Sequence, residues 1–221
     1  KGCRYDPAQR SGDKACPFTT LYWDFLMRHE AALARNPRMA LQVKNVARLT
    51  DAQKLAVSER AAAIRRGEIG QRDFDFDRQV AVMAVINRTP DSFYDRGATF
   101  ELDRAIGAAL TAASEGADWV DVGGVPFGRG PAVTVAEEIA RVVPVVEGIA
   151  AASDVVISVD TNNAEVARAA IAAGAAVIND TSGLGDPDMA AVIAESSAHV
   201  VITHSVGPPR VEKPAAHFDD V

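Results

Sequence analysis

Residues 155–183, "VVISVDTNNAEVARAAIAAGAAVINDTSG", decide the fold of this chain. The apolar run 155–159 predicts a buried strand, and the Ala-rich segment 162–173 predicts a helix. Gly174 is a residue type that commonly ends helices, and the second apolar run, 176–178, predicts the next strand. A helix that joins two buried strands at this spacing is typical of a parallel sheet.

The same alternation extends over most of the chain. Further strands are predicted at 80–86, 119–122 and 199–203, and further helices at 101–115, 135–152 and 187–196. Polar groups follow successive strands, which favours a (β/α)8 barrel over a doubly wound sheet. We therefore predict an α/β fold in which residues 80–221 form the first five strands of a TIM-type barrel. Because five strands cannot close a barrel, we expect an exposed sheet edge and poor solubility.

Three strand ends carry side chains suited to a polar ligand. Asp160 can accept hydrogen bonds from ligand N–H groups, or it can simply cap the next helix together with Thr161. Asn179 offers both a donor and an acceptor to a heterocycle edge, although Asn-Asp before Thr-Ser-Gly is also a common turn. Asn87 can supply an oxygen ligand to Mg²⁺, or it can belong only to a Thr-Pro-Asp turn.

The first third of the chain differs from the rest in charge. Residues 1–66 carry 13 Lys and Arg against 6 Asp and Glu, whereas residues 67–221 carry 10 against 24. Helices are predicted at 18–36 and 51–67, with residues 67–79 as a polar linker. The charge difference indicates two modules, although helical surfaces can also differ in charge without any change of partner.

Composition limits the protein classes. The sequence has no apolar run of about 18 residues, so no membrane span is predicted. The chain has two cysteines, Cys3 and Cys16, and no visible signal peptide, which favours a cytoplasmic protein over a disulfide-rich secreted one. Two cysteines alone make a weak metal site, and free thiols are the simpler interpretation.

Four motifs, taken in order, carry a family resemblance. They are "MAVINRTPDSFYDRG" at 83–97, "DWVDVGG" at 118–124, "VVISVDT" at 155–161 and "AAVINDTSG" at 175–183. This part of the chain resembles dihydropteroate synthases, the folate-pathway enzymes of the pterin-binding barrel family. In that family p-aminobenzoate displaces the pyrophosphate of 6-hydroxymethyl-7,8-dihydropterin pyrophosphate. The resemblance implies that Asn87 lies by the pyrophosphate and its Mg²⁺, that Asp160 and Asn179 bind the pterin ring, and that a complete barrel can form a homodimer.

The chain departs from the family pattern after its second barrel strand. Residues 123–133 read "GGVPFGRGPAV", where the family usually continues from Gly-Gly into Glu-Ser-Thr-Arg-Pro-Gly, so Arg129 is displaced. The resemblance also implies an Asp, a Lys and an Arg-x-His pair from three further strands that this sequence does not contain. His204 matches the fifth-strand His of the family, or it is a structural polar residue. We expect no synthase activity from the 221-residue chain, and a non-catalytic pterin-binding module is an alternative.

Residues 1–66 carry a second resemblance, through "ACPFTTLYWDFL" at 15–26 and "NPRM" at 36–39. They are similar to the C-terminal end of photolyase/cryptochrome-related proteins that hold an iron–sulfur cluster. The resemblance implies that Cys3 and Cys16 are two of four cluster ligands, with a 4Fe–4S cluster only in a longer parent chain. It also implies a DNA-facing origin for the basic segment, so a DNA repair fragment is a further alternative.

Overall fold

The computed structural model describes residues 5–6, 9–12, 14–88, 102–126 and 132–203. The chain divides into two compact units. One comprises residues 1–67 and 73–79, and the other comprises residues 68–72 and 80–221. Cys3, Arg129 and His204 lie outside the described residues, so their predicted roles stay predictions.

The first unit is helical. Its helices are α1 (Pro17–Arg28), α2 (Glu30–Leu33), α3 (Ala40–Ala47) and α4 (Asp51–Arg65), with a 3₁₀ turn at Pro37–Met39. The single helix expected over 18–36 is broken at His29, whose φ of −111° and ψ of 15° lie outside the helical range. Helix α3 was not predicted. Helix α4 begins with a reciprocal capping box, because the Thr50 hydroxyl accepts from the Gln53 N–H and the Gln53 side chain accepts from the Thr50 N–H.

A buried charge organises this helical unit. Asp24 on α1 is 1% exposed and pairs with Arg28 at 2.8 Å and with Arg65 at 2.9 Å. Asp77 completes the network, at 3.1 Å from Arg28 and 2.7 Å from Arg65. A buried carboxylate needs such partners, so two of the basic residues that distinguish this segment serve its own packing.

The residues expected to form a linker, 67–79, contain most of a β-hairpin. Its strands are β1 (Arg66–Ile69) and β2 (Arg72–Asp75), and Gly70 at the turn has a φ of +65°. Ile69 and Phe74 are buried. The alternation in "DFDF" at 73–76 is the period-two pattern of a strand, and Gly70 supplies the left-handed turn.

The second unit is an α/β structure. Its strands are β3 (Met83–Asn87), β4 (Trp119–Gly123), β5 (Val156–Asp160), β6 (Val177–Asp180) and β7 (His199–Ile202). Its helices are α5 (Leu102–Ser114), α6 (Val135–Ala152), α7 (Ala164–Ala173) and α8 (Met189–Ala194). The five strands pair in parallel in the order β3-β4-β5-β6-β7, so sequence neighbours are also spatial neighbours. This sequential parallel order confirms the predicted partial barrel.

The core of the second unit lies between the sheet and its helices. Val122 on β4, Val159 on β5 and Ile178 on β6 are fully buried against this helical layer. Side chains alternate along a strand, so the residues on either side of these three point to the opposite face. That opposite face, the inner face of a barrel, carries the polar residues.

Apolar side chains on the two outer strands of the described sheet are exposed. Val82 precedes β3, Val85 lies on it, and Val201 and Ile202 lie on β7; all four are exposed. This exposure is what an unclosed barrel produces. None of the helices in the described part of the chain is long and apolar enough to cross a membrane.

Candidate functional site at the carboxyl edge of the sheet

Four residues form one row across the carboxyl edge of the sheet. Asn87 pairs in register with Gly123, Gly123 with Asp160, and Asp160 with Asn179. Adjacent parallel strands lie about 4.8 Å apart. Asp160 and Asn179 are therefore direct neighbours, and Asn87 lies two strands from Asp160 with Gly123 between them. The structure therefore brings together all three residues that the strand ends predicted. They are the last or next-to-last residues of their strands rather than the first residues of the following loops.

Asp121 lies beneath this row and was not among the predicted site residues. It is on the same face as Gly123, two positions earlier on β4, and is 4% exposed. The Ser158 hydroxyl donates to its Oδ1 at 2.6 Å, and Asn179 Nδ2 donates to its Oδ2 at 3.0 Å. Burial raises the pKa of the Asp121 carboxyl, and these two hydrogen bonds oppose the rise. An acid inside the apolar strand "WVDVG" was the sequence signal for this residue.

Asp121 fixes the orientation of the Asn179 amide. Because one N–H of Asn179 donates to Asp121, the nitrogen side of the amide is turned down into the sheet. The amide keeps its carbonyl oxygen and its second N–H for other partners. Asn179 can therefore contact a ligand that presents a donor and an acceptor side by side.

The Asp160 carboxyl is in an unusual electrostatic environment. Burial raises its pKa to about 7, and the nearby charges of Asp121 and Glu138 add to the rise. A hydrogen bond from Thr181 works in the opposite direction. This carboxyl therefore titrates near neutrality, as an acceptor above pH 7 and as a proton carrier below it.

Thr161 and Glu138 connect the end of β5 to helix α6. Thr161 Oγ1 donates to Glu138 Oε1 at 2.7 Å, and both side chains are buried. Burial raises the pKa of the Glu138 carboxyl, opposed by this hydrogen bond and by the charge of Arg141. Thr161 was expected to cap the next helix, but Asn163 does so, accepting from the N–H groups of Glu165 and Val166. The role of Thr161 is to hold the segment beside Asp160.

Asp180 is structural. It is fully buried and accepts hydrogen bonds from the Ser182 N–H at 2.7 Å, the Ser182 hydroxyl at 2.6 Å and the Leu184 N–H at 3.1 Å. These bonds shape the turn after β6. Of the Asn-Asp pair in "VIND", Asn179 therefore belongs to the row and Asp180 to the turn.

Gly123 leaves room for the Asn87 side chain. A Cβ built on Gly123 would lie 2.8 Å from Asn87 Oδ1, which is closer than carbon and oxygen tolerate. The glycine in the row therefore determines where the Asn87 amide sits.

We expect Gly123→Ala to displace the Asn87 amide and to lower the free energy of unfolding by no more than about 1 kcal/mol, because only the end of a side chain has to move. The displacement is read from the NMR shift of the Asn87 side-chain amide. Gly107→Ala is the matched control, because a Cβ at Gly107 on α5 meets nothing within 4 Å. An unmoved Asn87 resonance in the Gly123→Ala variant would show that the glycine is not needed for this placement.

The other predicted ligands are not part of this row. Cys16 is a free thiol at the N-cap of α1, where hydrogen bonds, chiefly from Thr19, lower its pKa. Within the described residues, no group of three or more His, Cys, Asp or Glu side chains is arranged to hold a metal ion. The predicted iron–sulfur ligands and the predicted Mg²⁺ ligand Asn87 therefore stay predictions.

Residues 83–221 match the model of a protein family that is described as pterin binding enzyme. A curated relative from Mycobacterium leprae, named inactive dihydropteroate synthase 2, is 55% identical over 132 residues, covering 59% of this chain and 45% of that protein. Dihydropteroate synthase of Escherichia coli is 42% identical over 141 residues, covering 63% of this chain and 50% of that protein.

Solved structures give the same result. The Yersinia pestis dihydropteroate synthase with a sulfonamide drug complex matches with a TM-score of 0.64 and 37% identity, covering 70% of this chain and 56% of that one. The Xanthomonas albilineans dihydropteroate synthase in complex with 7,8-dihydropteroate matches with a TM-score of 0.56 and 39% identity, covering 70% and 53%. The chain spans about half the length of the relatives that it matches.

Proposed function

Since this chain belongs to the family of pterin-binding enzymes, we propose that its second unit binds a dihydropterin in the manner of a dihydropteroate synthase-type transferase. The observation that carries the proposal is the row of Asn87, Asp160 and Asn179 on the inner face of the sheet. Each side chain lies at the carboxyl end of its strand, which is where TIM-barrel proteins bind their ligands.

Asp160 and Asn179 are the proposed contacts of the pterin ring. An ionised Asp160 carboxylate accepts hydrogen bonds from the guanidine-like N–H edge of a pterin. Asn179, oriented by Asp121, meets the neighbouring ring atoms with a carbonyl and an N–H. Solved relatives in complex with 7,8-dihydropteroate and with 4-aminobenzoic acid support a pterin pyrophosphate and p-aminobenzoate as the substrate pair.

Asn87 is the proposed contact at the pyrophosphate end. Mg²⁺ usually takes only one or two protein oxygens and completes its shell with waters and substrate phosphates. The Asn87 amide oxygen, at the end of β3, fits this donor set without an acidic cluster. Bound there, Mg²⁺ would neutralise charge on the departing pyrophosphate. Asn87 would orient the pyrophosphate, while the pterin contacts hold the ring.

We propose that the 221-residue chain binds the dihydropterin substrate without converting it to dihydropteroate. The family takes further anion and pterin contacts from three later barrel strands, and the described sheet contains five strands. Relatives of 53–55% identity carry the name inactive dihydropteroate synthase 2, and the loop at 123–133 departs from the pattern of active synthases. These two observations favour a non-catalytic pterin-binding module as the second candidate.

We expect the 221-residue chain to bind 6-hydroxymethyl-7,8-dihydropterin pyrophosphate with Mg²⁺ and to form no dihydropteroate when p-aminobenzoate is added. Binding is measured by calorimetry and product by chromatography. The Asn87→Ala variant is expected to lose the Mg²⁺ dependence of binding while it keeps affinity for the pterin lacking pyrophosphate. Failure to bind at millimolar ligand would contradict the pterin site, and dihydropteroate formation would contradict the absence of turnover.

We make a separate proposal for residues 1–66, because the match to the pterin-binding family begins only at Met83. Their resemblance to iron–sulfur photolyase-related proteins supports cluster ligation by Cys3 and Cys16 in a longer parent, and DNA contact through the basic segment. An iron–sulfur absorbance band in that parent, lost in a Cys16→Ala variant, is the expected result; an unchanged band would count against it. The homodimer of a complete barrel is likewise a proposal, tested by sedimentation.

A further inference from the structure

Helix α6 contains a proline that removes one of its internal hydrogen bonds. Pro144 has no N–H, so the carbonyl of Ala140, four residues earlier, lacks its helical donor. Ala140 is exposed, so its carbonyl is open to water or to another donor. The structure supplies that donor from the first barrel strand.

Arg88 donates to two main-chain carbonyls of α6, one of which is the carbonyl of Ala140. Its Nη1 lies 3.1 Å from the oxygen of Ala140 and 2.7 Å from the oxygen of Arg141. Arg88 directly follows Asn87, and its own main-chain N–H donates to the oxygen of Gly123 at 2.8 Å. The residue next to the proposed pyrophosphate contact is thus held by both its main chain and its side chain.

Arg141 makes the reciprocal contact from the helix. Its Nη1 donates to the oxygen of Gly124 at 2.8 Å, and Glu137, one turn earlier, pairs with its other Nη atom. One turn of α6 therefore holds the ends of β3 and β4 together. We call these groups the arginine clasp: the side chains of Arg88 and Arg141 and the carbonyls of Ala140, Arg141 and Gly124.

We propose that the arginine clasp positions Asn87 and the start of the loop after β4, and that Pro144 strengthens the clasp because Arg88 takes the place of the missing helical donor to the carbonyl of Ala140. Arg88 is in this sense a positioning residue. Its effect on ligand binding rests on the proposed function, because it acts through Asn87 at the pyrophosphate end. The clasp itself is a property of the fold.

The hydrogen bonds of the arginine clasp offset the burial of the Arg88 guanidinium and its repulsion by Arg141. Burial lowers the pKa of the Arg88 guanidinium, and the nearby charge of Arg141 lowers it further. Two carbonyl acceptors, one of them without a helical donor, offset this cost. A lysine at position 88 would bring the same charge without the planar group that spans two carbonyls.

The first test needs no ligand. Amide hydrogen exchange at residue 88, whose N–H bonds to Gly123, reports how firmly the end of β3 is held. We expect about tenfold faster exchange there in Arg88→Met. We expect a smaller increase, about twofold, in Pro144→Ala, because the new N–H competes for the carbonyl of Ala140 while Arg88 keeps its 2.7 Å hydrogen bond to the carbonyl of Arg141. That variant unfolds at higher urea because alanine favours the helix.

The two variants separate positioning from general stability. In Pro144→Ala the protection at residue 88 and the urea midpoint move in opposite directions, which a merely structural role cannot produce. The double variant is expected to lose no more protection than Arg88→Met alone. Unchanged exchange at residue 88 in Pro144→Ala would overturn the link between the proline and Arg88, and unchanged exchange in Arg88→Met would overturn the clasp.

The second test uses two ligands, with and without pyrophosphate. Arg88→Met is expected to weaken binding of 6-hydroxymethyl-7,8-dihydropterin pyrophosphate with Mg²⁺ by about tenfold and Pro144→Ala by less. Both variants are expected to leave binding of 6-hydroxymethyl-7,8-dihydropterin unaffected. Equal losses for both ligands would overturn positioning through Asn87. If the parent chain binds neither ligand, the proposed function fails, and the exchange measurements still decide the clasp.

Discussion

Replacing Asp160 with asparagine is expected to weaken dihydropterin binding roughly 10- to 100-fold at pH 8, the range that loss of a charge-assisted hydrogen bond produces. Asparagine keeps the size of the side chain but presents an N–H group where the carboxylate offers only acceptors. A pterin edge that donates hydrogen bonds then meets a donor. The expected loss of affinity therefore comes from mismatched hydrogen-bonding groups and not from a change in the shape of the site.

The same substitution is expected to remove the pH dependence of binding. The pKa of Asp160 is raised from 3.8 to about 7 in the folded protein. The parent chain should therefore bind more tightly as the pH rises through about 7, because the carboxylate becomes the main form. The Asp160→Asn variant has no group to titrate at this position, and its affinity should be flat between pH 6 and pH 8.

The Asp160→Asn substitution is expected to raise the stability of the folded chain at pH 8 although it weakens ligand binding. A carboxyl whose pKa is raised on folding contributes most to stability below 3.8, and that contribution is lost as the pH rises toward about 7. Above pH 7 the parent holds a poorly solvated carboxylate near Asp121 and Glu138, whereas the variant holds a neutral amide. The urea midpoint of Asp160→Asn at pH 8 should therefore exceed that of the parent.

Calorimetric titrations across this pH range, paired with urea unfolding, measure both effects. Asp154→Asn is a matched control, because Asp154 is exposed and precedes the opposite end of the same strand. It should change neither affinity nor its pH profile. A pH profile that survives in Asp160→Asn would assign the titration to another group and contradict the role given to Asp160.

The sheet was largely predictable because its strands are buried on the helical side. Near-continuous apolar runs, separated by Ala-rich helices, placed all five strands within three residues of their observed limits. Helix α6 was predicted at its observed limits, 135–152, since Thr134 caps it and Ser153 follows it. The row of Asn87, Asp160 and Asn179 followed from parallel strands alone, because their carboxyl ends must share one edge.

The support beneath the row was not predictable from strand ends. Asp121 and Glu138 lie inside a strand and a helix, and the hydrogen bonds that hold their carboxylates come from residues distant in sequence. The partner of Asp121 on β5 is 37 residues away, and the partner of Glu138 is 23 residues away. Helix α3 was missed because it is only eight residues long and buries one residue, Val46, so its stability depends on tertiary packing.

Replacing Asp121 with alanine is expected to produce the largest loss of stability, about 2–4 kcal/mol in the free energy of unfolding, because one buried donor and one half-buried donor lose their acceptor. The Ser158 hydroxyl and the Asn179 amide both donate to this carboxylate. Without it, the Asn179 amide is free to rotate, so dihydropterin binding should weaken as well. Urea unfolding and calorimetric titration measure the two losses.

Asp121→Asn separates the charge of this residue from its hydrogen bonds. The amide carbonyl can still accept from Asn179, so this variant should lose less stability than Asp121→Ala. Both variants remove the negative charge that helps to raise the pKa of Asp160, so in both the pH midpoint of dihydropterin binding should fall below about 7. A midpoint that stays in place in both would show that the charge of Asp121 does not contribute to the raised pKa of Asp160. Equal stability of the alanine and asparagine variants would show that Asp121 does not hold Asn179, and the orientation of the proposed pterin contact would then need another cause.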